Sequence, residues 1–155
     1  MVDVISIFDS LVRVEIRLWN DLESRLQHEL GITLTFSQFL SFIARQGPCR
    51  VSDLADDLGI THSGTSRIVD RMEREGLAER ASNPDDRRSS LIALTPRGVA
   101  VQIRADAVVR ASLEERLAAR LDPAQLGALE VGLALLRDST ADLRPAPAGD
   151  VTGRP

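Results

Sequence analysis

Residues 54–98 decide the fold, and they read LADDLGITHSGTSRIVDRMEREGLAERASNPDDRRSSLIALTPRG. Two apolar patterns at helical spacing are separated by the turn GIT. The spacing predicts a short helix that Gly59 closes, followed by a second helix over about 62–75 that Thr61 caps and Gly76 ends. Two helices joined by so short a turn are typical of a helix-turn-helix.

After the second helix the apolar period changes from helical to alternating. Residues 77–82 and 89–94 are predicted to be two short strands around an Asn-Pro-Asp-Asp turn. Thr95 and Pro96 then supply a helix cap and a proline at the first helical position, which predicts a helix to about residue 120. A hairpin directly after a helix-turn-helix predicts a winged helix-turn-helix.

The rest of the chain predicts helices on both sides of this unit. Three-and-four apolar spacing predicts a long amphipathic helix over about 3–29, which Gly31 ends. Thr35 precedes a helix over 36–46, Ser52 is expected to cap the short helix after it, and the Asp-Pro pair at 122–123 opens a last helix to about residue 142. The predicted fold class is therefore mainly α with a small β-hairpin wing and long terminal helices.

Length and composition indicate one modest domain or two small ones, with no membrane segment. The chain has 155 residues and a net charge of −4, and its 19 basic residues are all arginine. No apolar run approaches the roughly 18 residues of a membrane span, and no signal peptide is evident at the start. The single cysteine, Cys49, cannot form an internal disulfide, which suits a cytoplasmic protein.

Enzyme and metal chemistry have no support in the sequence. There is no G-x-S-x-G pattern, no glycine-rich phosphate loop and no serine, histidine and acid arrangement that can be placed together. His28 and His62 are far apart with no Cys/His cluster, so no metal or other cofactor is expected.

The second helix of a helix-turn-helix enters the major groove of DNA with its N-terminal residues at the base edges. Here the inward positions are predicted to be Thr65, Ile68, Val69 and Met72. The opposite face then carries small polar side chains and one arginine, namely His62, Ser63, Ser66, Arg67 and Asp70. Gly64 in this first turn permits close approach to DNA, and a neutral surface glycine is the alternative.

The turn of the hairpin carries two adjacent arginines in an acidic chain. Beside a groove-bound helix, a wing tip reaches the neighbouring minor groove, whose negative potential attracts arginine. In the alternative reading, Asp85, Asp86, Arg87 and Arg88 pair with one another in a solvated turn. The acidic average also leaves open a winged helix that binds protein instead of DNA.

Residues 54–98 resemble the MarR (multiple-antibiotic-resistance regulator) family of bacterial transcription factors. The specific pieces are Asp86-Arg87-Arg88-Ser89 and the later Leu94-Thr95-Pro96-Arg97-Gly98, together with VDRMEREGLAER. The resemblance implies that Arg88 enters the minor groove, Asp86 orients it and Arg87 contacts a phosphate. With the helix face above, the predicted DNA-binding residues are Thr61, His62, Ser63, Gly64, Ser66, Arg67, Asp86, Arg87 and Arg88.

The resemblance also implies an obligate homodimer that binds a double-stranded, pseudo-palindromic operator, most simply as a repressor. Dimerisation helices are expected in 1–34 and 97–143, the DNA-binding domain in 35–96 and a flexible tail in 144–155. The sequence gives its own reason for a dimer, because one small subunit offers too little surface to cover an apolar stripe that includes Leu11, Leu18, Trp19 and Leu22.

Regulation by a small molecule is left open by the sequence. Members of the family often respond to aromatic or phenolic ligands, but the few aromatic residues (Trp19, Phe36, Phe39 and Phe42) are expected to be core residues. His28 is a candidate for ligand contact or pH sensing, although most histidines in such positions do neither. Cys49 has only Arg50 nearby to lower its pKa and is expected to be structural.

Overall fold

The computed structural model describes residues 3–84 and 89–140, and it confirms a mainly helical fold with one antiparallel hairpin. The chain divides into two compact units after Glu114. The first unit contains α1 Val4–Leu30, α2 Leu34–Gln46, α3 Val51–Leu58, α4 His62–Arg74, β1 Ala78–Ser82, β2 Ser90–Leu94 and α5 Pro96–Leu113. A π-helical segment, Glu114–Ala118, follows α5, and the second unit contains α6, Pro123–Thr140. The predicted tail at 144–155 and the wing-tip residues Asp86, Arg87 and Arg88 lie outside the described residues.

The ends of α1 follow from its flanking residues, and the Gly31 end was predicted. The Asp3 side chain accepts a hydrogen bond from the Ile5 amide at 3.1 Å, which satisfies one of the free amides of the first turn. At the other end Gly31 adopts a left-handed conformation with φ 69°, and its amide donates to the Gln27 carbonyl. Glycine adopts this conformation without a steric cost, so the helix ends there.

Two helix starts differ from the sequence prediction. α2 starts at Leu34 and not at residue 36, with Thr33 as its N-cap. The Thr33 hydroxyl accepts from the Phe36 amide at 3.1 Å, and the Glu23 carboxylate of α1 accepts from the Leu34 amide at 2.6 Å. The N-cap of α3 is Arg50 and not Ser52. There the Asp53 carboxylate accepts from the Arg50 amide at 2.8 Å, which starts the helix earlier.

The core of the first unit forms between helices α1 to α5 and the hairpin. The amphipathic stripes of these helices face inward, and a buried aromatic side chain, Phe39, is the largest of the fully buried group. The other large side chains buried almost completely are Leu26, Leu40, Leu54, Met72, Leu77 and Ile92. Burial of apolar area stabilises a fold by about 25 cal/mol per Å² removed from water. Burial of this cluster is therefore the main contribution to the free energy that holds α4 against the rest of the unit.

The hairpin is tied to the core along one edge. Ala78 pairs with Leu94 and Ser82 with Ser90, so the predicted strands are confirmed to within a residue. On the other side of β2 the Cys49 amide donates to the Ile92 carbonyl at 3.1 Å, and the Ile92 amide donates back at 2.7 Å. β2 therefore has β1 on one side and Cys49 on the other, and β1 is the outer strand.

Thr95 joins the end of α4 to the start of α5. Its hydroxyl accepts from the Gly98 amide at 2.9 Å, which confirms the predicted cap, and donates to the Gly76 carbonyl at 2.6 Å. Its amide donates to the Leu77 carbonyl at 3.2 Å. One residue therefore fixes the direction in which α5 leaves the hairpin relative to the segment that ends α4.

Apolar side chains remain exposed on α1 and on α6. On α1 they include Phe8, Leu11 and Trp19, whereas Leu22, which the sequence grouped with them, is buried in the core. On α6, taken by itself, Leu129, Val131, Leu133, Leu135 and Leu136 are exposed, and its start is held by reciprocal bonds between Asp122 and Gln125. Within residues 3–84 and 89–140, no helix has the length and apolar character needed to span a bilayer.

Candidate nucleic-acid interface

The turn between α3 and α4 is built from three residues, as predicted. Gly59 ends α3 in a left-handed conformation with φ 63°, and the Ile60 amide donates to the Ala55 carbonyl at 3.1 Å. Ile60 packs against the core, and Thr61 then takes extended backbone angles that open α4. The turn therefore fixes where the N-terminus of α4 points.

Thr61 organises the first turn of α4 with both its backbone and its side chain. Its hydroxyl accepts from the Gly64 amide at 3.2 Å, which confirms it as the cap. Its carbonyl accepts from the Thr65 amide at 2.9 Å and from the Thr65 hydroxyl at 3.1 Å. Because Thr65 is fully buried, these bonds lock the exposed first turn to the core.

The outward face of α4 carries the side chains that the sequence placed there. Thr65, Val69 and Met72 are buried and Ile68 is partly buried, so the opposite side of the helix points to solvent. Exposed or half-buried on the remaining surface are His62, Ser63, Ser66, Arg67 and Asp70. The structure therefore brings the α4 part of the predicted site together on one accessible, mostly small and polar surface.

Gly64 has a local explanation as well as the proposed one. It is half-buried, and a Cβ added there would lie 3.1 Å from the Ile60 side chain and 3.1 Å from the Thr61 hydroxyl. Such contacts are tighter than normal van der Waals packing. Space inside the α4 cap is therefore a sufficient reason for glycine here, independent of any approach to DNA.

The base of the wing is closed by a pair of polar residues. Asn83 is buried, its amide donates to the Ser89 carbonyl at 3.4 Å, and its side-chain nitrogen donates to the Ser89 hydroxyl at 2.9 Å. These bonds set the position from which the tip leaves the sheet. The tip itself, with Asp86, Arg87 and Arg88, lies in the stretch 85–88, outside the described residues.

The sequence did not predict a pair of salt bridges that connects α4 to the wing. The Arg80 guanidinium of β1 donates to the Glu73 carboxylate at 2.7 Å and to the Asp70 carboxylate at 2.9 Å. The signal available in the sequence was an acidic pair three residues apart at the end of α4, followed by the Gly76 turn and an arginine. Nothing in the spacing alone specified that the strand would run back alongside the helix.

A second arginine ties the other side of α4 to α2. The Arg71 guanidinium lies 5.0 Å from the centre of the Phe36 ring and donates to the Glu75 carboxylate at 2.9 Å. A cation over an aromatic face adds a modest electrostatic attraction. Arg71 and Arg80 thus hold α4 from opposite sides, which restricts rotation of the helix about its axis.

The remaining sequence candidates do not belong to this surface. Cys49 is buried in the bridge to β2, and burial, with a smaller contribution from the Asp53 carboxylate, raises its pKa to about 11. A thiol with this pKa stays protonated at neutral pH, which agrees with a structural cysteine. Among the described residues, no group of three histidine, cysteine or acidic side chains is arranged to hold a metal ion.

The fold and this surface define a winged helix-turn-helix protein. Comparison with known proteins indicates which family of such proteins it resembles. The MarR family model matches residues 30–89. Among curated relatives, an uncharacterised HTH-type transcriptional regulator of Bacillus subtilis, YfiV, is 31% identical over 67 residues, which are 43% of this chain and 42% of that protein. The match therefore spans less than half the length of this relative.

Solved structures extend the likeness over most of the chain. Sco3205, a MarR family transcriptional regulator from Streptomyces coelicolor solved in complex with DNA, superimposes with a TM-score of 0.80 and 25% identity over 92% of this chain and 89% of that one. A mutant MarR from E. coli complexed with operator DNA gives a TM-score of 0.77 and 25% identity over 86% and 94%. The chain is therefore similar to MarR-family transcriptional regulators, in sequence over residues 30–89 and in fold over most of its length.

Proposed function

We propose that this chain is a homodimeric transcriptional repressor of the cytoplasm that binds a pseudo-palindromic operator. In this proposal α4 enters the major groove and the wing, about 83–89, enters the minor groove. The observation that carries the proposal is the exposed polar end of α4, where a capped first turn presents His62, Ser63 and Arg67 to solvent. Small polar side chains and free backbone amides at a helix N-terminus suit close approach to phosphates and base edges.

Two similar proteins support DNA as the partner, because both were solved bound to it. The contacts that hold α4 in place also support DNA as the partner. A reading helix has to keep a fixed rotation so that the same side chains meet the bases. Arg71 and Arg80 supply contacts that restrict this rotation on both sides. A protein-binding module has no evident need for a polar, small-residue helix end held in this way.

The homodimer is the part of the proposal that gives the apolar surfaces a partner. Phe8, Leu11 and Trp19 are exposed on α1, and apolar side chains are exposed along α6. Monomeric proteins rarely leave contiguous patches of this kind in water. We assign 1–34 and 97–143 to dimerisation and 35–96 to DNA binding. A two-fold dimer requires operator half-sites about one helical turn, or a multiple of it, apart.

Repression and its release complete the proposal. A dimer seated on promoter DNA excludes other proteins from the same segment, which is the simplest route to repression. A small aromatic effector, as the family resemblance implies, would release it by favouring a dimer geometry that no longer matches the half-site spacing. A set of phenolic compounds tested for loss of DNA binding checks this part, and absence of any effect contradicts it.

Salt dependence of binding tests the DNA proposal against the protein-binding alternative. Each phosphate contact contributes a slope of about −0.9 to a plot of log affinity against log salt, because counterions are released. We expect the purified protein to bind duplex DNA from its own upstream region with a slope of several units. Absence of DNA binding, or binding that does not weaken as salt rises, would contradict the proposal.

A further inference from the structure

Two carboxylates lie on the edge of α4 that faces the wing. Asp70 and Glu73 are three residues apart, which places them on one side of the helix. Arg80 of β1 contacts both, so that side faces the hairpin. Ser66 precedes Asp70 by four residues and lies one turn nearer the exposed N-terminus on the same side. The acidic pair therefore borders the surface that is proposed to meet DNA.

This placement creates an electrostatic problem for a DNA-binding surface. The Asp70 side chain is 55% exposed, and a free carboxylate there would repel phosphates as the helix entered the groove. The chain offers no general compensation, since its net charge is −4. Local neutralisation is therefore needed where α4 and the wing converge.

Arg80 has the geometry to supply this neutralisation. Its two terminal nitrogens reach different carboxylates, Nη1 to Glu73 at 2.7 Å and Nη2 to Asp70 at 2.9 Å. A guanidinium makes such forked contacts with a fixed angle between them, and the single ammonium of lysine does not. β1 brings Arg80 to this position because its pairing with Ile92 sets the register of the strand.

We propose that Arg80 is a positioning residue for DNA recognition that masks Asp70 and Glu73. It holds both carboxylates in ion pairs directed towards β1, so that the polar face of α4 approaches the phosphates without local repulsion. The inference rests on the proposed DNA-binding function and deepens it. It differs from a direct role for Arg80, because the guanidinium is already engaged by two carboxylates and acts through them.

The test compares full-length variants on a fluorescein-labelled duplex that the parent protein has selected from a random-sequence library. The variants are Arg80→Ala, Asp70→Asn with Glu73→Gln, and the triple combination. Arg104→Ala, which removes the same charge from an exposed position on α5, is the matched control. Anisotropy gives the affinity at several salt concentrations, and circular dichroism follows the fold of each variant.

Masking predicts that Arg80→Ala weakens binding by at least about tenfold, because it brings unpaired carboxylates close to the phosphates across the interface. The DNA affinity of the triple variant should be within a few-fold of the parent's, since neutral amides do not repel phosphate. The triple variant also tests folding, because a variant that binds DNA has kept its structure. The Arg104→Ala control should bind nearly as the parent does.

Two results would overturn the inference while leaving DNA binding intact. Arg80→Ala binding as tightly as the parent would show that the carboxylates need no masking. A folded triple variant as weak as Arg80→Ala would show that Arg80 contacts DNA directly. A parent protein that selects no duplex at all would instead contradict the proposed function, and the masking role would fall with it.

Discussion

Gly98 packs directly against the backbone of Leu77. A Cβ built on Gly98 would overlap the Leu77 carbonyl oxygen and lie 2.9 Å from its carbonyl carbon. Leu77 lies between α4 and β1, and Gly98 lies in the first turn of α5. The contact therefore joins the proposed reading helix to a proposed dimerisation helix. The contact explains two residues of the Leu94-Thr95-Pro96-Arg97-Gly98 motif. Thr95 hydrogen-bonds to the segment after α4, and Gly98 lets α5 approach the Leu77 backbone closely.

Gly98→Ala is expected to lower the free energy of unfolding by about 1–3 kcal/mol, the usual cost of overpacking. The obstacle is backbone and cannot rotate away, so α5 must shift relative to Leu77. Chemical denaturation measures the change. The matched control is Gly127→Ala in α6, where nothing lies within 4 Å and helix propensity favours alanine by about 1 kcal/mol. Equal stability of Gly98→Ala and the parent would refute the close contact.

Cys49 should control stability at high pH. Burial and the Asp53 carboxylate raise its pKa from an ordinary 9.0 to about 11, so folding favours the neutral thiol. This contribution is complete below pH 9 and is lost as pH rises towards 11, because the unfolded chain then gains by ionising. The sequence contains no lysine and no tyrosine, so Cys49 is the one side chain that titrates in this interval.

The measurement is the free energy of unfolding of the parent and of Cys49→Ala between pH 8 and about pH 11. The parent should lose stability across this range, and the variant, although less stable at neutral pH, should show a flatter profile. Parallel profiles would mean that the thiol is not shielded from water in the folded chain.

Ser66→Glu is expected to abolish specific DNA binding while the dimer remains intact. Ser66 is half-buried on the wing-facing side of α4, and a carboxylate there sets a negative charge against the groove. Electrophoretic mobility shift and light scattering report the two properties. Operator binding retained by Ser66→Glu would point to a different helix as the reader.

Arg88→Ala is expected to weaken DNA binding by about tenfold or more without changing the thermal midpoint, as a lost minor-groove arginine should. This prediction rests on the family resemblance, because residues 85–88 lie outside the described part of the chain. Anisotropy and thermal unfolding check it. Unchanged affinity would favour the alternative in which the acidic and basic residues of the tip only pair with one another.

Much of the fold was predictable because residues close in sequence determine where its helices begin and end. Gly31, Gly59 and Thr61 lie at helix ends where their conformational and hydrogen-bonding preferences act alone, and all three predictions were confirmed. The two helix starts that were predicted wrongly depend on partners outside the local pattern. Thr33 begins α2 with the help of Glu23, which is distant in sequence, and Asp53 reaches back to Arg50 in preference to a cap by Ser52.

The candidate site was predictable to a similar extent and for a similar reason. The exposed face of α4 follows from helical periodicity, so His62, Ser63, Ser66 and Arg67 were placed correctly on the surface. Their contact with DNA stays a prediction. Arg80 was missed because its role arises from the tertiary arrangement of β1 beside α4. Periodicity describes one element at a time and does not specify which charges two elements bring together.

Hydroxyl-radical footprinting on the DNA upstream of the gene tests the central claim most directly. A two-fold dimer with one reading helix per subunit predicts protection of an inverted repeat whose half-sites are centred about one helical turn, or a multiple of it, apart. Protection should extend into the flanking minor grooves that the wings are proposed to enter. An unprotected duplex, or a single protected patch without two-fold symmetry, would contradict the account.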